Sequence, residues 1–531
     1  MDDLAAMPVG GALEWFGGFK PAGREAVIAR DILPEIRERL KFLGEVGLGY
    51  LQLGRGVPTL SGGESQRIRL AAQLGSNLSG VLYILDEPTI GLHSRDNEQL
   101  LDALQKLKGR GNSIIVVEHD EETMRRADHV IDLGPGAGVH GGQVVAAGTL
   151  EELMRHPESI TGQSMAATHH HPLRGERRPV KTGNKGKLVL RQARKNNLKG
   201  DVIRFPLNRL VLVTGVSGSG KSTLIRECLL PSLESALKNQ RKTPKSAAGD
   251  PLTGWETIQA VYEVNQTPIG RTPRSIPATY VGFFDEIRKL FSGIPEARLR
   301  GYSPSRFSFN SKEGRCPTCE GAGVVKLEMN FLPPAFVRCE ACGGSRFNTE
   351  TLDITYSGRN IAEVLELSVE AALEFFASVP RIRRPLQALC DTGLGYIKLG
   401  QTSPTLSGGE AQRVKLVSHL LTGLKEVDPL ESGTRRNLFI LEEPSIGLHL
   451  SDVRKLVEVL QRLVDAGHSV IVIEHNLELI AEADWVIDLG PEGGEGGGKL
   501  VAEGTPEEVA KCRASHTGRF LPAVLAPGKK G

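Results

Sequence analysis

Residues 212–223 read LVTGVSGSGKST. An apolar run over 210–215 leads into a glycine-rich turn and then into Gly220-Lys221-Ser222-Thr223. The spacing Gly215-x-x-x-x-Gly220-Lys221-Ser222 is that of a Walker A phosphate loop. A backbone folded around a triphosphate needs dihedral freedom and close approach, which Gly215, Gly218 and Gly220 provide. The N–H groups of the loop, Ser217 among them, and the start of the following helix face the anion. Lys221 is placed to reach the β and γ phosphates. Ser222 is placed to ligate Mg²⁺, with Thr223 completing the ATP-binding set.

This loop occurs once, yet its companions occur twice. The stretch TLSGGESQRIRL (59–70) returns as TLSGGEAQRVKL (405–416), and LYILDEPTIGLH (82–93) as LFILEEPSIGLH (438–449). The offset is 346 residues up to and including the signature and 356 from Leu82 onward. SIIVVEHD (113–120) matches SVIVIEHN (469–476), and ADHVIDLGPGAG (127–138) matches ADWVIDLGPEGG (483–494). A match this long means two copies of one nucleotide-binding module. The first copy begins in its middle, so its other half is expected from another polypeptide or from a missing N-terminal part. The extra residues fall in 421–436, a polar stretch expected as a surface loop. Apolar runs at 81–87, 113–119, 210–215, 438–443 and 469–475 read as buried parallel strands alternating with helices. Ile28, Ile32, Ile36 and Leu40 predict an early helix, bent at Pro34.

The strand LFILEE ends on the Walker B acids. Glu442 is expected to hold Mg²⁺ and Glu443 to polarise the attacking water. His475, after VIVIE, is the expected switch histidine, so Glu443, His475 and Lys221 form the catalytic set. LSGGE marks ABC-class ATPases, in which the signature of one module closes over nucleotide held by the other. Copy two's loop therefore calls for Ser61, Gly62, Gly63 and Glu64 of copy one. The second site would combine Asp86, Glu87, His119 and the signature Ser407, Gly408, Gly409 and Glu410, and it lacks a phosphate loop.

The chain has 531 residues, 40% apolar and 24% charged, with a net charge of +2. That length suits three or four domains. No run of 18 apolar residues predicts a membrane span. The first thirty residues lack the order of a signal peptide, so the expected location is the cytoplasm. Of seven cysteines, four form the pattern Cys316-x-x-Cys319…Cys339-x-x-Cys342, a closed structural Zn²⁺ set. The intervening 324–338 reads as a hairpin. Arginines interleaved with aromatics in 270–275 and 298–310, with Lys312 and Arg315, suit phosphate contact and base stacking on nucleic acid, or else a solvated basic face. The polar segment 166–187 reads as a linker, where His169, His170 and His171 are expected in solvent rather than on a metal.

The stretches NQTPIGRTPRSIPATY (265–280) and RFSFNSKEGRCPTCEGAG (306–323), with the signatures and the 483–494 motif, resemble the UvrA family of the bacterial excinuclease system. The resemblance covers nearly the whole chain. It implies an ATPase that surveys duplex DNA for lesions and loads UvrB for nucleotide excision repair, within the SOS response, without being the nuclease. It also implies Gln266 as the residue sensing nucleotide, and a dimer. The family places its UvrB-docking domain and insertion domain between the first Walker A and the first signature, so UvrB docking is not expected from these residues. Asn265, Ile276 and Glu442 depart from the family pattern, the first and last standing where Asp is usual. The fold expected is α/β with two ABC modules, the first incomplete. The divisions are 1–165 for copy one, 166–187 for the linker and 188–250 for the phosphate-loop part. The Cys₄-bearing insertion follows over 251–405, and 406–531 closes copy two. The alternatives are a diverged, DNA-binding form without UvrB loading or efficient turnover, and a soluble ABC ATPase of transport or drug resistance.

Overall fold

The computed structural model describes residues 2–60, 62–74, 79–136, 138–167, 170–181, 183–184, 186–239, 250–329, 332–423 and 436–525. Most of the 421–436 insertion and Ser61 of the first signature lie outside the described residues.

Copy one contributes β1 (Leu82–Asp86), β2 (Ser113–Val117), β3 (Val130–Gly134) and β4 (Gln143–Gly148). Copy two begins with β5 (Lys187–Leu190), β6 (Ile203–Pro206), β7 (Leu210–Gly215), β8 (Leu252–Thr253) and β9 (Ala260–Val264). The insertion carries the hairpin β10 (Val324–Met329) and β11 (Leu332–Arg338), which pairs antiparallel as expected, and a small ribbon of β12 (Thr355–Tyr356) and β13 (Arg359–Asn360). The chain then returns to copy two with β14 (Asn437–Glu442), β15 (Ser469–Ile473), β16 (Trp485–Gly490) and β17 (Lys499–Gly504).

Copy two has a six-stranded sheet in the order β17-β16-β7-β15-β14-β9, beside a three-stranded one in the order β6-β5-β8. The phosphate-loop strand β7 lies at its centre, parallel to both β15 and β16. Its alternation splits cleanly between two cores. Leu210 and Leu212 pack with Leu456 and Leu460 of the helix Leu450–Asp465. Val211 and Val213 pack with Leu224, Ile225 and Leu229, behind the phosphate loop. Both faces are covered, so the strand is apolar on both.

Copy one has two separate pairs, β1-β2 and β3-β4. In copy two the strand between their counterparts is β7, so copy one lacks its middle among the described residues. One face of β1-β2 is covered by the helix Ser94–Gly109, through Leu100, Leu104 and Leu107 against Tyr83. The other face is bare, which corrects the reading of these runs as buried strands. Leu82, Ile84, Ile115, Val117, Ile131 and Leu133 are 51–69% exposed, while their counterparts Leu438, Ile440, Ile471, Ile473, Ile487 and Leu489 are 2% exposed or less. The residue types agree; what differs is the layer formed in copy two by residues 187–258.

The early helix spans Arg24–Glu45 with Pro34 inside it, and Ile28 and Ile32 face solvent. The insertion has its own helical core, which includes Phe307 and Phe309, both fully buried. That removes these two rings from any base-stacking platform. Neighbouring arginines are also engaged: Arg306 with Glu350 and over the Tyr302 ring, Arg274 and Arg315 with Glu320, and Arg300 with Glu296 and Asp353.

The linker is pinned rather than solvated. The His171 side chain is 3% exposed and bridges Glu478 at 2.9 Å and Glu482 at 2.5 Å. Arg177 pairs with Glu507, and Arg178 with Asp484 and Asp465. A charged imidazole in that position offsets the Glu482 carboxylate, whose side chain is 1% exposed. His169 lies outside the described residues.

Candidate composite nucleotide site

The phosphate loop is held by backbone packing that only glycine permits. Gly215 has φ 132°, and a Cβ there would lie 2.0 Å from the Leu489 carbonyl oxygen of β16. Lys221 is buried, and its Nζ donates to the carbonyls of Gly215 at 2.9 Å and Val216 at 3.0 Å. Burial lowers its pKa against the opposing pull of Glu443 and Asp96. The hydroxyls of Ser217 and Ser219 are buried without a partner among the described residues. A loop with spare buried hydroxyls and a lysine turned onto its own carbonyls fits a polyphosphate.

Thr223 Oγ1 accepts from Asn196 at 3.2 Å, and the Asn197 amide donates to the Gly218 and Gly494 carbonyls at 3.0 Å, tying down the loop's crest. Ser222 Oγ donates to Glu442 Oε1 at 2.8 Å, and Arg226 pairs with the other Glu442 oxygen at 3.0 Å. The extra methylene of Glu442 therefore still brings a carboxylate to the Ser222 hydroxyl, a hard oxygen pair suited to Mg²⁺.

Glu443 sits with φ 46°, and its repeat counterpart Glu87 with φ 43°. A left-handed glutamate is strained, at a cost of about 1–3 kcal/mol, and the strain recurs at the matched position of both copies. Burial, reinforced by the nearby Glu474 carboxylate, pushes Glu443 up to about 7 despite Lys221. His475 Nε2 lies 3.8 Å from Glu443 Oε1. Burial keeps this imidazole neutral, with Lys221 and His93 adding to the effect. Gln266 Nε2 donates to the Glu443 carbonyl at 3.4 Å. An acid near neutrality beside a neutral histidine is the combination a general base needs.

Copy one closes over this site. Gly62, Gly63 and Glu64 open the helix Gly62–Leu74. The Asp96 carboxylate accepts from the Ser217 N–H of the phosphate loop at 3.1 Å. A Cβ on Gly91 would lie 3.0 Å from Glu443 Oε2. Arg67, 3% exposed, acts electrostatically on both Glu443 and His475. Arg67 lies in the 59–70 repeat without a role assigned to it there, and Asp96 lies just beyond the 82–93 repeat. Both recur in the second copy, as Asp452 and Arg413, and that recurrence is the signal the sequence offers for them.

The counterpart cluster is also assembled. His119 lies 3.6 Å from Glu87, and burial raises the Glu87 carboxyl. A Cβ on Gly447 would lie 3.7 Å from Glu87 Oε1. Ser407 and Glu410 cap each other at the start of the helix Gly408–Gly423, with Gly409 tight against the Ile446 carbonyl. Asp86 ends β1, where its carbonyl accepts from Gln66 at 2.7 Å. Among the described residues, no phosphate loop faces this cluster. Glu87, His119, Glu443 and His475 line one cavity of about 600 Å³ between the copies.

The four cysteines Cys316, Cys319, Cys339 and Cys342 converge with all sulfurs within 4.8 Å of one another. Cys319 and Cys342 are 3.7 Å apart. Tetrahedral coordination with Zn–S bonds of about 2.3 Å requires S···S separations of about 3.8 Å, so the donor set fits Zn²⁺. Gly323 N–H donates to Cys319 Sγ at 3.3 Å, and Gly321, with φ 83°, passes so close to the Phe309 carbonyl that no Cβ could fit.

The chain is similar to known proteins over nearly its whole length. UvrABC system protein A of Thermus thermophilus is 56% identical over 524 residues, covering 98% of this chain and 54% of that protein. The Escherichia coli K12 protein of the same name is 53% identical over 522 residues, with the same coverage. The chain is UvrA-like over nearly its whole length. The crystal structure of UvrA2 from Deinococcus radiodurans superposes with a TM-score of 0.88 at 45% identity, over 99% of this chain and 63% of that one. No family model matches. The chain spans about half the length of the curated UvrA relatives it matches. Among the described residues no helix is long and apolar enough to cross a membrane.

Proposed function

We propose that this UvrA-like chain binds and hydrolyses ATP at one composite site and couples that cycle to engagement of lesion-bearing duplex DNA in nucleotide excision repair. The observation that carries the reading is the cross-copy contact of Asp96 with the phosphate-loop Ser217, which sets copy one against the loop that holds Lys221. Lys221 and the loop N–H groups would hold the phosphates, and Ser222 and Glu442 would hold Mg²⁺, which when bound neutralises phosphate charge. Glu443 would take the proton of the attacking water, with His475 and Gln266 fixing its orientation. Ser61, Gly62, Gly63 and Glu64 would cap the nucleotide. The four cysteines would hold a structural Zn²⁺ that rigidifies the root of the β10–β11 hairpin.

Copy one's bare face supports a second partner. Its six apolar positions and the gap between β2 and β3 suit a strand–phosphate-loop–helix segment equivalent to 187–258, carried on another stretch of polypeptide. Such a segment would complete the site of Asp86, Glu87, His119, Ser407, Gly408 and Gly409. UvrB is the proposed partner at the level of the whole repair system.

The test is ATP turnover with and without lesion-bearing duplex. DNA-stimulated turnover that Lys221→Ala abolishes supports the reading. Duplex binding with no Lys221-dependent turnover would leave a DNA-binding protein without an ATPase cycle.

A further inference from the structure

The segment VGLGYLQLG (46–54) is repeated as TGLGYIKLG (392–400), yet neither copy belongs to the nucleotide machinery assigned above. Both tyrosines stand at the junction between copies. The Tyr50 ring lies against the phosphate loop: a Cβ at Gly218 would sit 2.7 Å from Tyr50 Cδ2, and one at Gly493 would sit 3.1 Å from Tyr50 Cβ. The other end of the same side chain reaches the signature, where the Tyr50 hydroxyl donates to Glu64 Oε1 at 2.7 Å. One rigid side chain with two torsions thus touches the phosphate loop of copy two and the first turn of copy one's signature helix.

We propose that Tyr50 is a positioning residue, a strut that sets the signature turn of copy one at a fixed height above the phosphate loop of copy two. The inference rests on the composite-site reading and deepens it. Burial, with the Glu64 carboxylate beside it, pushes the Tyr50 phenol far above its ordinary range, so the hydroxyl remains a donor at every working pH. Glu64 is 6% exposed, and Arg55 stands off from it at 3.6 Å, so the phenol reaches it more closely than that cation does. A hydrogen bond to a buried carboxylate fixes direction as well as distance.

The repeat supplies an internal comparison. Tyr396 donates to Glu410 at 2.6 Å, and a Cβ on Gly138 would lie 3.1 Å from Tyr396 Cβ. Gly138 is the counterpart of Gly494, which approaches Tyr50 in the same way. The second strut is built alike, but it faces no phosphate loop among the described residues. Chemistry identical on both sides should therefore have unequal consequences for nucleotide.

The experiment uses the full chain carrying Glu443→Gln, so that bound ATP is not consumed, with Tyr50→Phe and Tyr396→Phe made separately. Each keeps the ring and removes one hydroxyl. Tyr50→Phe is expected to raise the dissociation constant for ATP about tenfold, the size of a lost hydrogen bond to a charged group. Tyr396→Phe is expected to leave it within about twofold while shifting the melting temperature by a similar amount, since both lose the same bond. With Glu443 restored, the Tyr50→Phe loss should fall on KM for ATP more than on kcat. Equal affinities in the two variants, or a Tyr50→Phe effect confined to melting temperature, would overturn the strut. ATP binding that survives Lys221→Ala would instead overturn the composite site itself, and the strut with it.

Discussion

His171 ties the segment between the copies to the body of copy two, and its charge should make that attachment depend on pH. Burial opposes protonation of the imidazole, but hydrogen bonds and charge from Glu478 and Glu482 outweigh it and raise the pKa from 6.5 to about 9. A histidine raised in the folded state stabilises it fully below the unfolded value, near 6.5, and loses that contribution as pH climbs through about 9. The full shift is equivalent to roughly 3 kcal/mol, and screening through the partly open Glu478 trims it to about 2 kcal/mol. Arg177 on Glu507 and Arg178 on Asp484 hold the same linker, so it should loosen without detaching. The assay is urea unfolding from pH 6 to pH 10, read by tryptophan emission, since Trp255 and Trp485 both belong to copy two's core. His171→Gln keeps a neutral donor and removes the charge. The stability gap between the parent chain and this variant should shrink by about 2 kcal/mol between pH 6 and pH 10. A gap that stays constant across the range would show that His171 is not charged in the folded protein, and the argument would fail.

The bare face of copy one predicts unequal tolerance at matched positions. Ile440→Lys should destabilise by more than about 4 kcal/mol or prevent folding, whereas Ile84→Lys should change stability by only about 0.5 kcal/mol in the isolated chain; chemical denaturation of both decides it. If Glu443 is the general base, kcat/KM for ATP should fall as pH drops below about 7, because the carboxylate must be ionised to accept a proton. Glu443→Gln should cost about a hundredfold or more in kcat while ATP binding persists, as turnover and equilibrium binding measured side by side would show. Metal analysis should find one zinc per chain, and Cys339→Ser should lose it and expose the β10–β11 hairpin to protease.

Much of the protein is legible in its residues because the relevant signals are local. The phosphate loop needs glycines at fixed offsets, the Cys₄ set needs two short knuckles, and the duplication is visible as two constant shifts. Burial is not a local property. Ile84 and Ile440 sit in the same motif, yet one faces solvent and the other a full core, because burial requires a second layer supplied from elsewhere in the chain. Phe307 and Phe309 read as stacking residues beside arginines and are core, for the same reason. His171 reads as linker until Glu478 and Glu482, some three hundred residues on, come beside it. The sequence by itself determined the parts: two modules, one phosphate loop, one set of four paired thiols. Only the tertiary structure decided which parts meet. Asp96 on Ser217 and Tyr50 on Gly218 are contacts between segments more than a hundred residues apart, and packing of the two copies against each other is what selects them.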